Sequence, residues 1–372
     1  MTKATFLLTI FLLLVFSFPP RVRALYDPLS VPNNHIGIHI LYPEEIEKAA
    51  ELVNSSGGDW GYVTIPIRAN DRDLLVWQKF MEECGRLHII PILRIASFLD
   101  EDRWVAPNEY DLVDFANFLD QLPWPTKNRY VVIYNEPNHK NEWGGFVYPE
   151  EYARVLDRAI DIFHQKNSDF FVISAGMDSS SPNTLDSMNI YDYFWRMNQA
   201  APQIFARVDA VAFHAYGNPG FSSPPNLKSS VNIASFRKEA DYLKKQFAIT
   251  PKIFITESGW RSDLVGEKAR EYWLLALDRV WNDGVVAVTP FVLQAQDGPF
   301  SGFSFLDRNG ELYSFARVYK DYPKIKGQPM PAEIRTTEQE RPVKEKESTT
   351  QKKSPIMEML LGLLDLFSRV LR

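Results

Sequence analysis

Apolar and polar residues follow two alternating patterns between residues 33 and 323. Eight short segments are nearly continuous apolar runs, which is typical of strands that are covered on both faces. The segments between them carry apolar residues at positions i, i+3 and i+4, which indicates amphipathic helices. The predicted strands span residues 35–41, 61–67, 89–95, 129–135, 170–176, 208–215, 252–257 and 285–292.

Six of the intervening segments predict helices, namely 43–53, 74–81, 110–119, 152–163, 236–247 and 272–281. Strands that alternate with helices indicate parallel βαβ units, and eight such units in about 290 residues match a (β/α)8 barrel. A doubly wound open sheet is the competing architecture, but no Gly-rich phosphate-binding fingerprint follows the first strand. The sequence therefore predicts an α/β protein with one (β/α)8 barrel, the TIM-barrel fold, over residues 33–323.

The segment before the barrel has the pattern of a secretory signal. Residues 1–24 contain Lys3, an apolar run from Phe6 to Phe18, and the small residue Ala24 at a suitable cleavage position. An uncleaved membrane anchor is the alternative, but it needs about 17 to 25 apolar residues. Both interpretations place the barrel outside the cytoplasm, secreted or associated with a membrane.

Two segments follow the barrel. Residues 325–355 contain no aromatic residue and are rich in Lys, Glu, Thr, Gln and Pro, so we expect a disordered linker. Residues 356–372 predict a short amphipathic helix with a wide apolar face. Such a helix can lie peripherally on a membrane surface, pair with a second copy of the chain, or dock on the barrel, and the sequence leaves these three alternatives open.

Composition excludes several classes of function. The formal net charge is −6, and 41 basic and 47 acidic residues are spread along the chain, so no basic stripe predicts a nucleic acid partner. The single cysteine, Cys84, cannot form an intramolecular disulfide and is expected to be a buried structural thiol. The six histidines lack the spacing of a zinc site. We therefore expect neither a metal nor a cofactor.

Two of the predicted strands end in a lone glutamate, Glu136 on the fourth and Glu257 on the seventh. Burying a charge is costly unless it is solvated or paired, so a cleft is the simplest explanation. The carboxyl ends of barrel strands line one mouth, and strand counting places these acids nearly opposite one another. If side chains alternate regularly along each strand, Glu136 faces inward together with Val132 and Tyr134. By the same rule Glu257 faces inward together with Ile253 and Ile255.

Other strand ends supply possible helpers. Arg68 ends the second strand and Arg94 nearly ends the third, and a guanidinium close to a carboxylate favours its ionised form. His214 and Tyr216 share one face of the sixth strand, and His39 follows the same rule on the first. The alternatives are a simple ion pair for each arginine and a core position for the others.

Two loop tryptophans, Trp143 after the fourth strand and Trp260 after the seventh, are candidates for stacking against a sugar ring, with core packing as the alternative. Two carboxylates that bracket one bond are what glycoside hydrolysis requires. Phosphoryl or hydride transfer would need other groups.

The residues Asn135-Glu136-Pro137, Glu257 and His214-Ala-Tyr216 resemble the motifs of the clan A retaining glycoside hydrolases, which include cellulase-like, mannanase, β-xylosidase and endo-galactanase families. The resemblance covers residues 33–323. It implies that Glu136 is the general acid/base, that Glu257 is the nucleophile, that Asn135 binds the sugar 2-hydroxyl, and that Tyr216 or His214 positions the acids. It also implies a secreted retaining β-glycosidase with carboxyl groups about 5 to 5.5 Å apart.

One position departs from this pattern. Many clan members carry a tryptophan near the end of strand eight, whereas residues 289–296 of this chain contain none. Phe291, Leu293, Gln294 or Trp260 could take its place in binding the substrate. A protein that kept the barrel as a carbohydrate-binding or cell-surface module without turnover is the alternative function.

Overall fold

Eight parallel strands, β1 to β8, follow one another around a barrel. The computed structural model describes residues 25–332, with the exception of residues 102, 229, 230, 283 and 296. The strands are Gly37–His39, Gly61–Arg68, Ile89–Ala96, Arg129–Ile133, Phe170–Ser174, Val211–Tyr216, Ile253–Gly259 and Val285–Val288. All eight predicted strands are present, so the predicted (β/α)8 fold is confirmed.

Single bridges close the ring at two seams. β1 to β5 form one sheet, and β6 to β8 form a second together with a two-residue strand, Met177–Asp178. A parallel bridge between Ile173 and Ala210 joins β5 to the chain entering β6, and one between Ile36 and Val288 joins the chain entering β1 to β8. Within residues 25–332 these bridges join the two sheets to each other, and a closed barrel protects strand edges from pairing with other chains.

The helices α1 to α10 connect the strands. They are Ile46–Val53, Leu74–Arg86, Glu109–Asp120, Pro149–Lys166, Ile190–Ala200, Ile204–Arg207, Ser235–Phe247, Ser262–Val265, Ala269–Arg279 and Ser314–Asp321. All six predicted helices are present, while α5, α6, α8 and α10 were not predicted. No helix among the described residues is long and apolar enough to cross a membrane.

Side-chain caps fix where two of these helices begin. The Asp73 carboxylate accepts hydrogen bonds from the backbone N–H groups of Leu75 and Val76 at the start of α2. The Asn108 side chain caps α3, and the Asp111 carboxylate accepts a hydrogen bond from the Asn108 N–H, which completes a capping box. Such caps each contribute about 1 kcal/mol to stability.

The core has two apolar layers. The inner layer fills the barrel with side chains from β2 to β8, mainly Tyr62, Ile90, Ile92, Tyr130, Val132, Phe171, Ile173, Ala212, Phe254 and Val286. The outer layer packs the other faces of the strands against the helices, and Cys84 of α2 lies fully buried within it. The expectation of a buried structural thiol is therefore confirmed.

The chain after α10 crosses the amino-terminal end of the barrel. The Gly327 N–H donates to the Asp59 carbonyl at 2.9 Å, and the Lys127 N–H donates to the Met330 carbonyl at 2.9 Å. The prediction of disorder is wrong for residues 325–332, because backbone hydrogen bonds to the loops before β1, β2 and β4 order a segment that has few apolar side chains. The predicted signal (1–24), the rest of the linker and the helix 356–372 lie outside the described residues.

A buried carboxyl group on α7 gives a prediction about stability. Glu239 is fully buried, and this burial raises its pKa to about 8. Between pH 4.5 and 8 the folded protein therefore keeps a proton that the unfolded chain releases, so this group lowers the free energy of unfolding as the pH rises. We expect the slope of the unfolding free energy against pH to be more positive in Glu239→Gln than in the parent, by up to about 1.4 kcal/mol per pH unit. Urea denaturation of both proteins from pH 5 to 8 measures this, and parallel curves would contradict it.

Candidate active site

A bulge in β7 turns Glu257 toward the mouth of the barrel. In the ladder with β6, Ile255 pairs with Phe213 while Glu257 already pairs with His214, so one extra residue is inserted. Ile255 belongs to the outer layer and Phe254 to the inner one. The prediction that Glu257 shares a face with Ile253 and Ile255 is therefore wrong, because the bulge changes the alternation.

An irregular turn presents Glu136 after β4. The strand ends at Ile133, and positive φ angles follow at Tyr134 (66°) and Glu136 (32°). Tyr134 consequently packs in the outer layer rather than facing inward as predicted. The Glu136 N–H donates to the Gly176 carbonyl at 3.0 Å, which holds the turn. Non-glycine residues in this backbone region are costly and cluster at functional sites.

The turn and the bulge bring the two acids together. One oxygen of Glu136, one of Glu257 and one ring nitrogen of His214 all lie within 4.8 Å of one another. The Nδ1 atom of His214 is 2.7 Å from Glu136 Oε1 and 3.7 Å from Glu257 Oε2. Two carboxyl groups from distant parts of the sequence therefore share one small region of the mouth.

The charge of Glu257 is stabilised on both oxygens. Arg94 donates to Oε1 at 2.5 Å, and the Tyr216 hydroxyl donates to Oε2 at 2.8 Å. Burial alone would raise the pKa of this carboxyl, but the charges of His214 and Arg94 and the Tyr216 hydrogen bond outweigh it and lower the pKa. Glu257 is 8% exposed and ionised at neutral pH.

The arginine beside Glu257 is Arg94 and not Arg68. The Arg68 guanidinium lies 6.0 Å from the centre of the Trp104 ring, which belongs to the hairpin formed by Leu99–Asp100 and Arg103–Trp104 after β3. The proposed role of Arg68 in holding a carboxylate ionised is therefore wrong, because β3 places its own arginine against Glu257.

A third acid, which the sequence analysis missed, adjoins this network. Arg94 also donates to Asn135 Oδ1, and Asn135 Nδ2 donates to Glu142 Oε2 at 3.1 Å. Burial and the neighbouring charge of Glu136 raise the pKa of Glu142 to about 7. The signal available in the sequence was its place in the loop after β4, a few residues beyond Glu136.

The two histidines on inward positions differ in charge. Burial and the nearby Arg94 cation lower the pKa of His39 to about 3, so His39 is neutral, with its Nε2 3.8 Å from Glu257. Burial also acts against the charged form of His214, but Glu257 and Glu136 outweigh it and raise its pKa. His214 Nε2 meets the Thr256 hydroxyl at 3.1 Å, which fixes the ring.

Glu136, His214 and Glu257 are the group of described residues that could converge on one metal ion. Both oxygens of Glu257 already accept hydrogen bonds from Arg94 and Tyr216, and an arginine at this distance opposes a second cation. The arrangement thus suits a carboxylate nucleophile better than a metal ligand.

Both tryptophans that were predicted as stacking platforms are packing residues. Trp143 and Trp260 are each 1% exposed. The Trp143 ring packs edge-on against Tyr152, with centres 5.4 Å apart, and Trp260 packs against Trp273 at 5.2 Å. The indole N–H of Trp260 donates to the Ser223 carbonyl at 2.7 Å. These rings support the loops from below and present no face to a ligand.

Strand eight also lacks an exposed platform at the predicted positions. Leu293 is 1% exposed, and its N–H donates to the His39 carbonyl. Gln294 follows it and is half-buried, and its role in substrate binding stays a prediction. Phe291, three residues after the end of β8, lies beside His39 with ring centres 5.1 Å apart and so reaches the site.

The fold has solved counterparts. An endo-β-1,4-glucanase from Xanthomonas axonopodis pv. citri is similar with a TM-score of 0.52 and 12% identity, over 78% of this chain and 99% of that chain. A β-glucanase from Saccharophagus degradans in complex with cellotetraose is similar with a TM-score of 0.52 and 15% identity, over 82% of this chain and 97% of that chain. The chain has the (β/α)8 fold of these two glucanases. No family model and no curated protein matches the sequence.

Proposed function

We propose that this protein is a retaining β-glycoside hydrolase that works by double displacement with two glutamates. The observation that supports this most directly is the approach of Glu136 and Glu257 to within 4.8 Å at the mouth of the barrel. Retaining enzymes hold their carboxyl groups about 5 to 5.5 Å apart, whereas inverting enzymes need about 6.5 to 9.5 Å to fit a water. The fold shared with known β-glucanases agrees with this class.

The two acids take different parts because their surroundings differ. Glu257, ionised by Arg94 and Tyr216, attacks the anomeric carbon and forms a glycosyl-enzyme ester. Glu136 is half-buried and contacts His214. It protonates the departing oxygen in the first step and takes a proton from water in the second.

Asn135 and Glu142 belong to the sugar-binding side of this proposal. The Asn135 amide lies between Arg94 and Glu142, where it can exchange one of these partners for a sugar hydroxyl. His39, His214 and Tyr216 position the two acids. The substrate is a β-linked carbohydrate or glycoside, as in the cellotetraose complex of the similar β-glucanase.

The working location of the enzyme is also a proposal. Residues 1–24 direct export, and residues 33–323 form the catalytic domain. Residues 356–372 attach the enzyme peripherally to a membrane or to a second copy. Cell fractionation and size-exclusion chromatography of the full chain and of a chain ending at residue 332 test the last point. Equal distribution between fractions together with the same oligomeric state would contradict attachment.

A panel of aryl β-glucoside, mannoside, xyloside and galactoside tests the activity. We expect hydrolysis of at least one, with the β-anomer as the first product by NMR. Release of the α-anomer first would contradict retention. Absence of hydrolysis, together with binding of the same sugars, would favour a carbohydrate-binding module.

Gly176 gives a structural test of the site. A Cβ atom at this position would lie 2.2 Å from the His214 ring, so Gly176→Ala must displace the ring that contacts Glu136. We expect kcat to fall by about 10²-fold, which is typical of a misplacement of about 1 Å. Gly85→Ala on α2 is the control, because its Cβ would meet only Pro125 at 3.8 Å. Equal activity of the two variants would contradict the role of His214.

A further inference from the structure

The mouth of the barrel has a polar half at the ends of β3, β4 and β5. Arg94, Asn135 and Glu142 form one hydrogen-bonded chain there. His139 and Asp178 form a second, with Nε2 of the histidine 2.9 Å from a carboxylate oxygen. This half offers charged and amide groups, which is what recognition of several hydroxyls requires.

The opposite half, at the ends of β6, β8 and β1, is apolar. Tyr216, Phe291, Val292 and Phe303 form a hydrophobic cluster that is separate from both core layers. Phe221 and Phe300 extend this cluster outward and remain 36% and 49% exposed. We name Phe221, Phe291, Phe300 and Phe303 the aromatic wall.

The aromatic wall is continuous with the candidate nucleophile. The hydroxyl of Tyr216 donates to Glu257, and the Tyr216 ring meets Phe221 at 5.2 Å and Phe303 at 5.7 Å between centres. Phe300 packs edge-on against Phe291 at 5.1 Å. The exposed rings therefore lie next to the reacting centre, where exposed apolar surface indicates binding.

Two polar groups beside the wall are engaged within the protein. Asn218 Oδ1 accepts a hydrogen bond from the Phe221 N–H at 3.3 Å. Arg261 is paired with Asp263 at 2.6 Å. The four rings of the wall offer no hydrogen-bond partner to a sugar hydroxyl pressed against them, and unpaired buried polar groups are costly. An alkyl or aryl group has no such cost.

We propose that the substrate is a β-glycoside with an apolar leaving group, bound with its sugar on the polar half and its leaving group against the aromatic wall. This inference rests on the proposed function. This substrate differs from the cellotetraose that is bound in the similar β-glucanase, which consists of sugar units throughout. The leaving group can be an alkyl or an aryl alcohol, because the aromatic wall binds either by apolar contact.

Octyl and methyl β-D-glucoside test the proposal, because both release an alcohol of similar acidity and differ only in apolar length. We expect kcat/KM to be at least about tenfold higher for the octyl compound, as burial of two methylene groups would give. Phe221→Ala and Phe300→Ala should each bring the ratio of the two kcat/KM values close to one. Phe146→Ala is the matched control, because Phe146 is 58% exposed in the loop after β4 and lies outside the wall.

Calorimetric binding of octyl and methyl 1-thio-β-D-glucoside, which are not cleaved, separates this inference from the proposed function. If the protein cleaves no glycoside but binds the octyl compound more tightly, and this preference depends on the wall residues, then the proposed hydrolase activity is refuted while the apolar binding site is supported. Octyl and methyl compounds that behave alike, a ratio unchanged by both wall variants, or a clear preference for cellobiose would overturn the inference.

Discussion

Replacing Glu257 with glutamine is expected to lower kcat by about 10⁴ to 10⁶, the range seen when a nucleophile is removed. Arg94 and Tyr216 hold the charge of this carboxylate at the reacting centre, and a neutral amide cannot form the glycosyl ester. The measurement is the initial rate on the best aryl glycoside of the panel, with circular dichroism to show that the fold is intact.

Glu51→Gln, at an exposed position of α1, is the matched control for this variant. It removes the same charge far from the mouth and should leave kcat unchanged. Added azide should restore turnover of a Glu257→Ala variant and give an α-glycosyl azide, because the small anion occupies the space of the lost carboxylate. A Glu257→Gln enzyme that works at the parent rate would refute the proposed nucleophile.

Replacing Glu136 with glutamine is expected to give a loss that depends on the leaving group. General acid catalysis contributes about 10² to 10⁴, and alkyl glycosides need the proton while a 2,4-dinitrophenyl glycoside does not. We therefore expect the alkyl substrate to lose that factor in kcat/KM and the dinitrophenyl substrate to lose little. Steady-state rates on both substrates measure the difference.

Azide provides the second half of the Glu136 test. It should accelerate the Glu136→Ala variant and yield a β-glycosyl azide. Azide is already an anion, so it can attack the glycosyl intermediate on Glu257 without the general base that water needs. Equal losses on both substrates, or an α-azide product, would assign Glu136 a role other than acid/base.

The barrel was predictable because its strands are long apolar runs separated by amphipathic helices. Boundaries were less so, as for β8, which ends at Val288 although the apolar run continues to residue 292. α5 was missed although Ile190, Tyr193, Phe194 and Met197 keep the helical spacing, because the exposed Trp195 adds an aromatic ring on the other face and obscures the pattern. Residues 325–332 were misjudged because backbone hydrogen bonds rather than apolar burial order them.

The positions of the two acids were predicted, but the alternation argument behind them was wrong. A bulge before Glu257 and positive φ angles at Tyr134 and Glu136 change which side chains face the mouth. Such irregularities depend on tertiary contacts, and they occur where function needs a particular side-chain direction.

Neighbouring contacts decided the remaining assignments. Whether Arg68 or Arg94 pairs with Glu257 depends on the hairpin after β3, which takes the Arg68 guanidinium to Trp104. Trp143 packs against Tyr152 and Trp260 packs against Trp273, so neither ring is available to a ligand. The exposed rings next to the site belong to Phe221 and Phe300, whose loops show no distinctive spacing in the sequence.

The most direct test of the account is mass spectrometry after incubation with a 2-deoxy-2-fluoro β-glycoside that carries a dinitrophenyl leaving group. The fluorine slows breakdown of the glycosyl ester, so the intermediate accumulates. We predict one fluoroglycosyl group per protein on the peptide that contains Glu257, and none in the Glu257→Gln variant. A label on another residue, or turnover of the parent substrate without any adduct, would contradict a nucleophilic Glu257 facing Glu136 across the mouth.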